Sequence, residues 1–492
     1  MSNLTHYENI IKEKRKKTPF REFVRDIASW TVLNLYKNKW KTCRYPDTWR
    51  IKNLEKSEAQ NGASYFLDYN LNIWFFENFK NLLDIVPMQF ILDFDGNENS
   101  DYVDAAFWVK NGYLTFVAGF GVENIAYSAF CYLNSSNIYN SFLITTNCNN
   151  IYFSAGINNS FNIFYSKYIN DSSNIWFCTN LIGCQECLFC DGLQNQKYCF
   201  RNKPLEKEEY LKIKERILAK KDKFMENYAF ISKNPPLNYL SENVNGKYNI
   251  RSQNVENGYW VANTKNSRNV INTGWENINN FYDCLDVGVN SEDFYGANGA
   301  WDNSKNIYCS SQLGQSLSIY YSYNIWNCSF CIGCVWLKNK SYCILNKQYA
   351  KEEWYELADQ IFAQMDEQWI LGDFFPGYLN PFYFNDTMAY LIDDSFTEDE
   401  LKKEGYLWRD TQISVDIPEW SEVIRTKDLI NYQGFNPNGD WRINPEIMKK
   451  VIRDDAWNVY RIVKMEYDFL VKHSLPLPEI HWLDRIKMGF QM

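Results

Sequence analysis

Cysteine falls in two clusters with one spacing. Cys184, Cys187, Cys190 and Cys199 follow C-x2-C-x2-C-x8-C, and Cys328, Cys331, Cys334 and Cys343 repeat that pattern at an offset of 144 (328 − 184). Four thiolates can hold a zinc ion tetrahedrally, and C-x2-C is a familiar half-site, so these eight residues are the candidate metal ligands. Packing is the competing reading. Cys178, Cys184 and Cys190 step by six, as do Cys328 and Cys334, and cysteine behaves as a small buried hydrophobe. That step favours an interior column over zinc, with Cys187 and Cys331 breaking the parity and falling at turns.

Other reactive groups are sparse or scattered. Three histidines occur, His6, His473 and His481, so a Ser-His-Asp or Cys-His relay would have to draw on the chain ends, and a His-rich metal site is excluded by count. His473 and His481 read as surface or packing residues. Carboxylates are plentiful, among them Asp93, Asp95, Asp101, Asp191, Asp283, Asp286, Asp393 and Asp394. A pair on one face could do the acid and base work of glycoside hydrolysis, but 60 acidic residues create pairs by chance. No phosphate-cradling G-x-x-x-x-G-K-[ST] and no G-x-G-x-x-G opening a helix is present. Exposed Tyr and Trp could stack on bases or sugars, although most should be core.

The elements that must position these residues are set by an internal repeat. An Asn-apolar-aromatic pattern recurs at Asn124, Asn137, Asn150, Asn162 and Asn174, a nearly constant step. The same beat returns through Asn257, Asn269, Asn280, Asp293, Asn306 and Ser318. Each series ends in its cysteine cluster and then in a charged segment, Lys207-Glu208-Glu209 or Lys351-Glu352-Glu353. A period this short fits stacked coils of two short strands rather than helix pairs. Asn tolerates left-handed backbone and can form ladders along such a stack. The expected fold is therefore mainly β with helical caps, two tandem short-rung β-solenoids joined and capped by α-helical segments.

Segments outside the repeats read as caps and connectors. The expected divisions are an N-terminal mixed, largely helical cap at 1–110, a first solenoid at 111–203, a helix and linker at 204–255, a second solenoid at 256–347 and a C-terminal helical and aromatic domain at 348–492. Apolar spacing predicts helices over 74–83, 205–228, 350–368 and 445–473. Pro235-Pro236 marks a linker, and Leu475-Pro476-Leu477-Pro478 an extended stretch.

Composition bounds the function. At 492 residues, two to four folded units are the prior, and an aromatic content of 17% is far above that of a disordered chain. A formal charge of −9 gives no general attraction to phosphate backbones. A local basic run at Lys12, Lys14, Arg15, Lys16 and Lys17 reads as a solvated helix face rather than a nucleic-acid site. No stretch is apolar for the roughly 18–20 residues a bilayer requires, and the charged N-terminus lacks a signal-peptide core. A soluble protein of the cytoplasm or of a virion is expected, with reduced thiols and no membrane partner.

At the paired clusters the chain resembles a known family. Cys328-Ser329-Phe330-Cys331-Ile332-Gly333-Cys334, with Lys338-Asn339-Lys340-Ser341-Tyr342-Cys343 and Lys351-Glu352-Glu353, is similar to the cysteine-rich zinc-ribbon proteins of candidate-phyla bacteria and giant viruses, often labelled CaiB/BaiF. Phe75 to Pro87, Asp373-Phe374-Phe375-Pro376, Gly405-Tyr406-Leu407-Trp408 and Tyr467-Asp468-Phe469-Leu470 extend the resemblance over most of the chain. The family carries C-x2-C ribbons near both ends. Here the N-terminal region retains only Cys43, and residues 344–492 contain no cysteine. The resemblance thus implies degenerate ribbons within 1–110 and 348–492 and scaffold features that are kept.

The leading functional expectation is a non-enzymatic structural or interaction scaffold, with protein partners in a large assembly such as a ribonucleoprotein or virion. One alternative is a nucleic-acid-binding protein using its basic helical segments. Another is a glycosidase-like enzyme acting on a polymer along a solenoid face. No cofactor is expected other than zinc at the cysteine clusters.

Overall fold

The computed structural model describes residues 3–37, 42–46, 62–92, 96–262, 264–270, 278–279, 282–287, 292–301, 305–410, 417 and 421–490. These form two compact units, each assembled from separated stretches of chain. One comprises Met1–Asn34, Cys43–Phe90 and Leu237–Arg409, and the other Leu35–Thr42, Ile91–Pro236 and Asp410–Met492. They are called here the first and second unit.

The second unit is built on a 12-stranded, mostly parallel sheet. Its long strand Tyr102–Tyr132 pairs through Ile125 with Ile138 of Ser136–Tyr139 and through Cys131 with Ile144 of Phe142–Thr145. Short strands follow on both flanks, each in parallel register with the strand one repeat away: Ile138↔Ile151, Ile151↔Ile163, Ile163↔Ile175 and Ile175↔Cys187 on one side, Ile144↔Ile157, Ile157↔Ile169 and Ile169↔Leu181 on the other. Strands this short do not persist alone; they are held by neighbours and by side chains that stack in register. The third residue of each strand is fully buried and belongs to one continuous apolar cluster. Burying such an Ile is worth about 1.5–3 kcal/mol.

The second residue of these strands explains the abundance of Asn. Asn137, Asn150, Asn162 and Asn174 have φ between +56° and +57°, a left-handed conformation that Asn tolerates better than most residues. Their side chains link in a chain. Asn111 donates to Asn124 and Asn124 to Asn137, while Asn150 donates to Asn162 at 2.9 Å and Asn162 to Asn174 at 2.8 Å. Left-handed Asn therefore occurs inside the strands as well as between them, where Asn140, Asn147 and Asn159 also hold positive φ.

Aromatic stacks line the outside of the sheet and are covered by helices. Phe153, Tyr165, Phe177 and Phe189 stack at 5.2–5.5 Å, and helix Phe224–Ile231 lays Phe224 and Tyr228 edge-on against them. Helix Lys464–Lys472 covers Tyr139 and Tyr152 with Phe469. Helix Lys207–Leu218 follows the last strands, with Tyr210 buried.

The first unit repeats the parallel pattern in a ten-stranded and a four-stranded sheet. Ile307, Ile319, Cys331 and Cys343 are successive register partners, and Tyr295, Tyr308 and Tyr320 stack beside them. Helices Leu4–Arg15, Phe20–Asp26, Phe75–Ile85 and Lys351–Glu367 belong to this unit.

Two expectations are corrected. The chain is not mainly β with two tandem solenoids: it is 29% helical and 34% strand around the 12-stranded, mostly parallel sheet, and no closed or curled solenoid is shown. A near-constant spacing fixes the register between parallel neighbours, and any set of equal connections produces it; it does not dictate closure. Second, 445–473 is not one helix. It forms a 3₁₀ turn at Pro445–Lys449, strands Val451–Arg453 and Val459–Tyr460, and helix Lys464–Lys472. The break lies where the Asp454 carboxylate accepts the Asn458 N–H and Trp457 takes φ +68°, closing a hairpin.

Candidate functional site

The cysteines of the two clusters divide among three kinds of column. Cys187 and Cys199 are direct partners on adjacent strands, as are Cys331 and Cys343. Cys187 and Cys331 are fully buried within Gln185–Leu188 and Ser329–Ile332, so the expectation that they mark turns fails. The side-chain alternation of a strand, counted from Ile175, puts Cys187 inward.

Cys178 and Cys190 end a ladder begun by serines. The N–H groups of Ser141, Ser154, Ser166 and Cys178 donate one repeat back, to Ser128, Ser141, Ser154 and Ser166 Oγ in turn, at 3.1–3.3 Å. Cys190 N–H then donates to Cys178 Sγ, and Asn202 N–H to Cys190 Sγ. The hydroxyl or thiol itself donates to the carbonyl two residues before it, as Ser166 does to Phe164 and Cys190 to Leu188. Cys184 extends a second such ladder from Ser160 and Ser172. In the first unit Cys334 follows Ser310 and Ser322, and Cys328 follows Ser316.

All fourteen cysteines are buried and unpaired by disulfides. Burial pushes the Cys148 and Cys309 thiols up to about 12. Cys187 is raised chiefly as the hydrogen-bond partner of Cys184, which is lowered by the same bond, and Cys331 is raised chiefly by burial. Zinc binds thiolates; within each cluster the central thiol, Cys187 or Cys331, is held up, while hydrogen bonds from neighbouring thiols lower Cys184, Cys190 and Cys328. Among the described residues, no group of three or more His, Cys, Asp or Glu is arranged to hold a metal ion.

The carboxylates are dispersed. Asp93 and Asp95 lie outside the described residues. Asp101 is exposed just before Tyr102, and Asp191 accepts from Thr179 and Asn180. Asp283 is buried against Arg15, Asp286 lies in strand Asp286–Val287, and Asp393 accepts from Arg21 beside Asp394. His473 is lowered to about 4 and His481 to about 3, both chiefly by burial. The basic N-terminal run turns inward more than expected. Lys12 lies over the Tyr295 ring, Lys14 pairs with Asp373 at 2.7 Å and Arg15 with Asp283, while Lys16 and Lys17 stay exposed.

Sequence reasoning passed over Lys167. It is 1% exposed, and burial lowers its amine to about 7, below the ring of Tyr228 at 5.5 Å. A neutral amine is a nucleophile, but this one has no path to solvent at that exposure.

Sequence reasoning also missed a cleft of about 660 Å³ in the first unit. Helices Leu4–Arg15 and Phe20–Asp26 bring Lys14, Arg15 and Arg25 to it, with Glu22 and Asp26, and Lys17 joins from between them. Asp373 and Glu404 come from the later chain, so cations and anions balance four to four. Most are paired across the wall: besides Lys14 with Asp373, Arg25 binds both Asp26 and Glu404 at 2.7 Å. Trp74 and Tyr378 line the same cleft and are 56% and 44% exposed. Gly377 is required where it stands, since a Cβ there would lie 2.4 Å from the Tyr406 ring.

Fold and site define a mixed α and β protein of parallel ladders locked by Ser, Cys and Asn side chains, with the polar, aromatic-rimmed cleft described above. Comparison with known proteins finds no matching family model, no similar curated protein and no similar solved structure.

Proposed function

We propose that the protein is a non-enzymatic scaffold that engages protein partners in a larger intracellular or virion assembly. One observation carries this reading: the side chains best suited to chemistry serve the interior. The thiols sit in hydrogen-bonded columns, and Arg15 and Asp283 neutralise each other in the core. Repeated in-register ladders favour rigidity, which suits a platform more than a site that must reorganise.

On this reading the cysteines are packing residues. Elemental analysis of protein purified without chelator should find zinc well below one ion per chain. The partner claim is tested by native mass measurement on endogenous material. A stoichiometric protein partner is expected; a free monomer alone would count against the scaffold, and salt-sensitive retention on RNA would replace it with nucleic-acid binding.

Among the described residues no helix is long and apolar enough to cross a membrane.

A further inference from the structure

Trp369 occupies a position that ordinarily belongs to glycine. It follows helix Lys351–Glu367 with φ +61°. Its N–H donates to Asp366 O at 2.9 Å, and Ile370 N–H reaches back to Met365 O at 3.0 Å. Helices often stop on such a left-handed residue, and a residue with a Cβ is strained there. The indole gains nothing from the fold in exchange, since the residue is 87% exposed. Its carbonyl accepts from Lys14 Nζ at 3.0 Å, and Lys14 and Ile370 line the cleft. A strained, solvent-facing indole is thus tied, through the Lys14 hydrogen bond to its carbonyl and through its neighbour Ile370, to a cleft lined by the exposed Trp74 and Tyr378.

The charge pattern narrows the ligand. Lys14, Arg25, Asp26, Asp373 and Glu404 are committed to one another and Arg15 to Asp283, and the two remaining charges of the lining, Lys17 and Glu22, are of opposite sign. The wall thus offers an ionic ligand no net attraction, and displacing any paired group would leave its mate unpaired. A neutral polyhydroxy ligand need displace none. Its hydroxyls can use the remaining lone pairs and N–H groups of the paired side chains, while its C–H faces lie on the aromatic rings.

We propose that this cleft binds a neutral oligosaccharide, stacked on Trp74, Trp369 and Tyr378 and hydrogen-bonded by the ion-paired wall. The proposal stands apart from the scaffold reading, because it rests on the first unit's surface alone and needs no protein partner.

The test is calorimetric titration of the full chain with cellotetraose, maltotetraose and chitotetraose, followed by tryptophan fluorescence. At least one should bind with a change in indole emission, and W74A or Y378A should weaken it about tenfold or more, whereas Y378F, which keeps the ring, should bind as well as the parent. W369G separates function from folding: it should raise the melting temperature by relieving the backbone and still weaken the sugar. Absence of binding to all three tetrasaccharides at millimolar concentration would overturn the proposal. So would binding that survives W74A and Y378A together, or a heparin-derived acidic tetrasaccharide that binds more tightly than the neutral ones.

Discussion

The backbone N–H of Cys190 donates to Cys178 Sγ at 3.2 Å, in the relation that the N–H of Cys178 bears to Ser166 Oγ at 3.1 Å. Sulfur and oxygen thus do one job in one ladder. Each receives an N–H from the next repeat and gives its own proton to the carbonyl two residues earlier. Cysteine fits where the column is dry, because its thiol is the weaker donor and loses less on leaving water.

This equivalence predicts opposite outcomes for one substitution at two cysteines. Cys178→Ser should change stability by less than about 1 kcal/mol, whereas Cys178→Ala, which orphans the Cys190 N–H, should cost about 1–3 kcal/mol. Cys187→Ser should be the worse serine, because Cys187 follows Ile163 and Ile175 in an apolar column and a hydroxyl there costs about 1–3 kcal/mol. Urea unfolding of the three variants measures the order. A thiol reagent should meanwhile find no reactive cysteine in the native chain and all 14 after unfolding.

The Asn ladder predicts an inverted Ala and Gly ranking. Asn162 accepts from Asn150, donates to Asn174 and holds φ +56°. Asn162→Gly loses the hydrogen bonds but keeps the backbone free of strain. Asn162→Ala loses the same bonds and adds the left-handed penalty of about 1–2 kcal/mol. Alanine should therefore be the more destabilising by denaturant midpoint, the reverse of the order at a regular strand position.

A buried ion pair fixes the C-terminal helices of the second unit. Arg485 Nη1 binds Glu466 Oε1 at 3.0 Å with both side chains fully buried, and Asn140 joins them by accepting from Arg485 and donating to Glu466. Glu466→Gln keeps the shape but leaves the guanidinium charge uncompensated, so it should cost about 3–5 kcal/mol. The double change Glu466→Gln with Arg485→Met removes both charges and should recover most of that loss. A double-mutant cycle by chemical denaturation checks the coupling; additive losses would show that the pair is not linked.

What was readable in the sequence follows from how local each signal is. The short repeat appears directly as strand register, because parallel partners one repeat apart must carry alike residues. Helix Lys351–Glu367 was readable from its charged start and apolar spacing. The left-handed Asn inside strands was not, since Asn also marks turns. Nor was the serine start of the Cys178 column, although Ser128, Ser141, Ser154 and Ser166 precede it at steps of 13, 13, 12 and 12. Ile447, Val451 and Ile452 imitate a helical stripe, and only the Asp454 turn reveals the hairpin. The cleft gathers Lys14, Asp26, Trp74, Tyr378 and Glu404 from distant segments, so no window of sequence contains it.

His481 should make the second unit sensitive to acid. Its Nδ1 accepts the Leu483 N–H at 3.3 Å at the start of helix Trp482–Phe490, a role that requires an unprotonated nitrogen. Burial, aided by the nearby Arg485 charge, lowers the group to about 3 from the ordinary 6.5. Between those values the unfolded chain takes up a proton that the native state refuses, so stability falls as pH drops from about 6.5 toward 3, by at most about 1.4 kcal/mol per pH unit for one group. Above about pH 7 the contribution is complete. Asn is a good capping acceptor that does not titrate, so His481→Asn should match the parent near neutrality and retain more of its stability at pH 5. Parallel urea titrations at the two pH values measure the difference, and an equal loss in both proteins would remove His481 as its source.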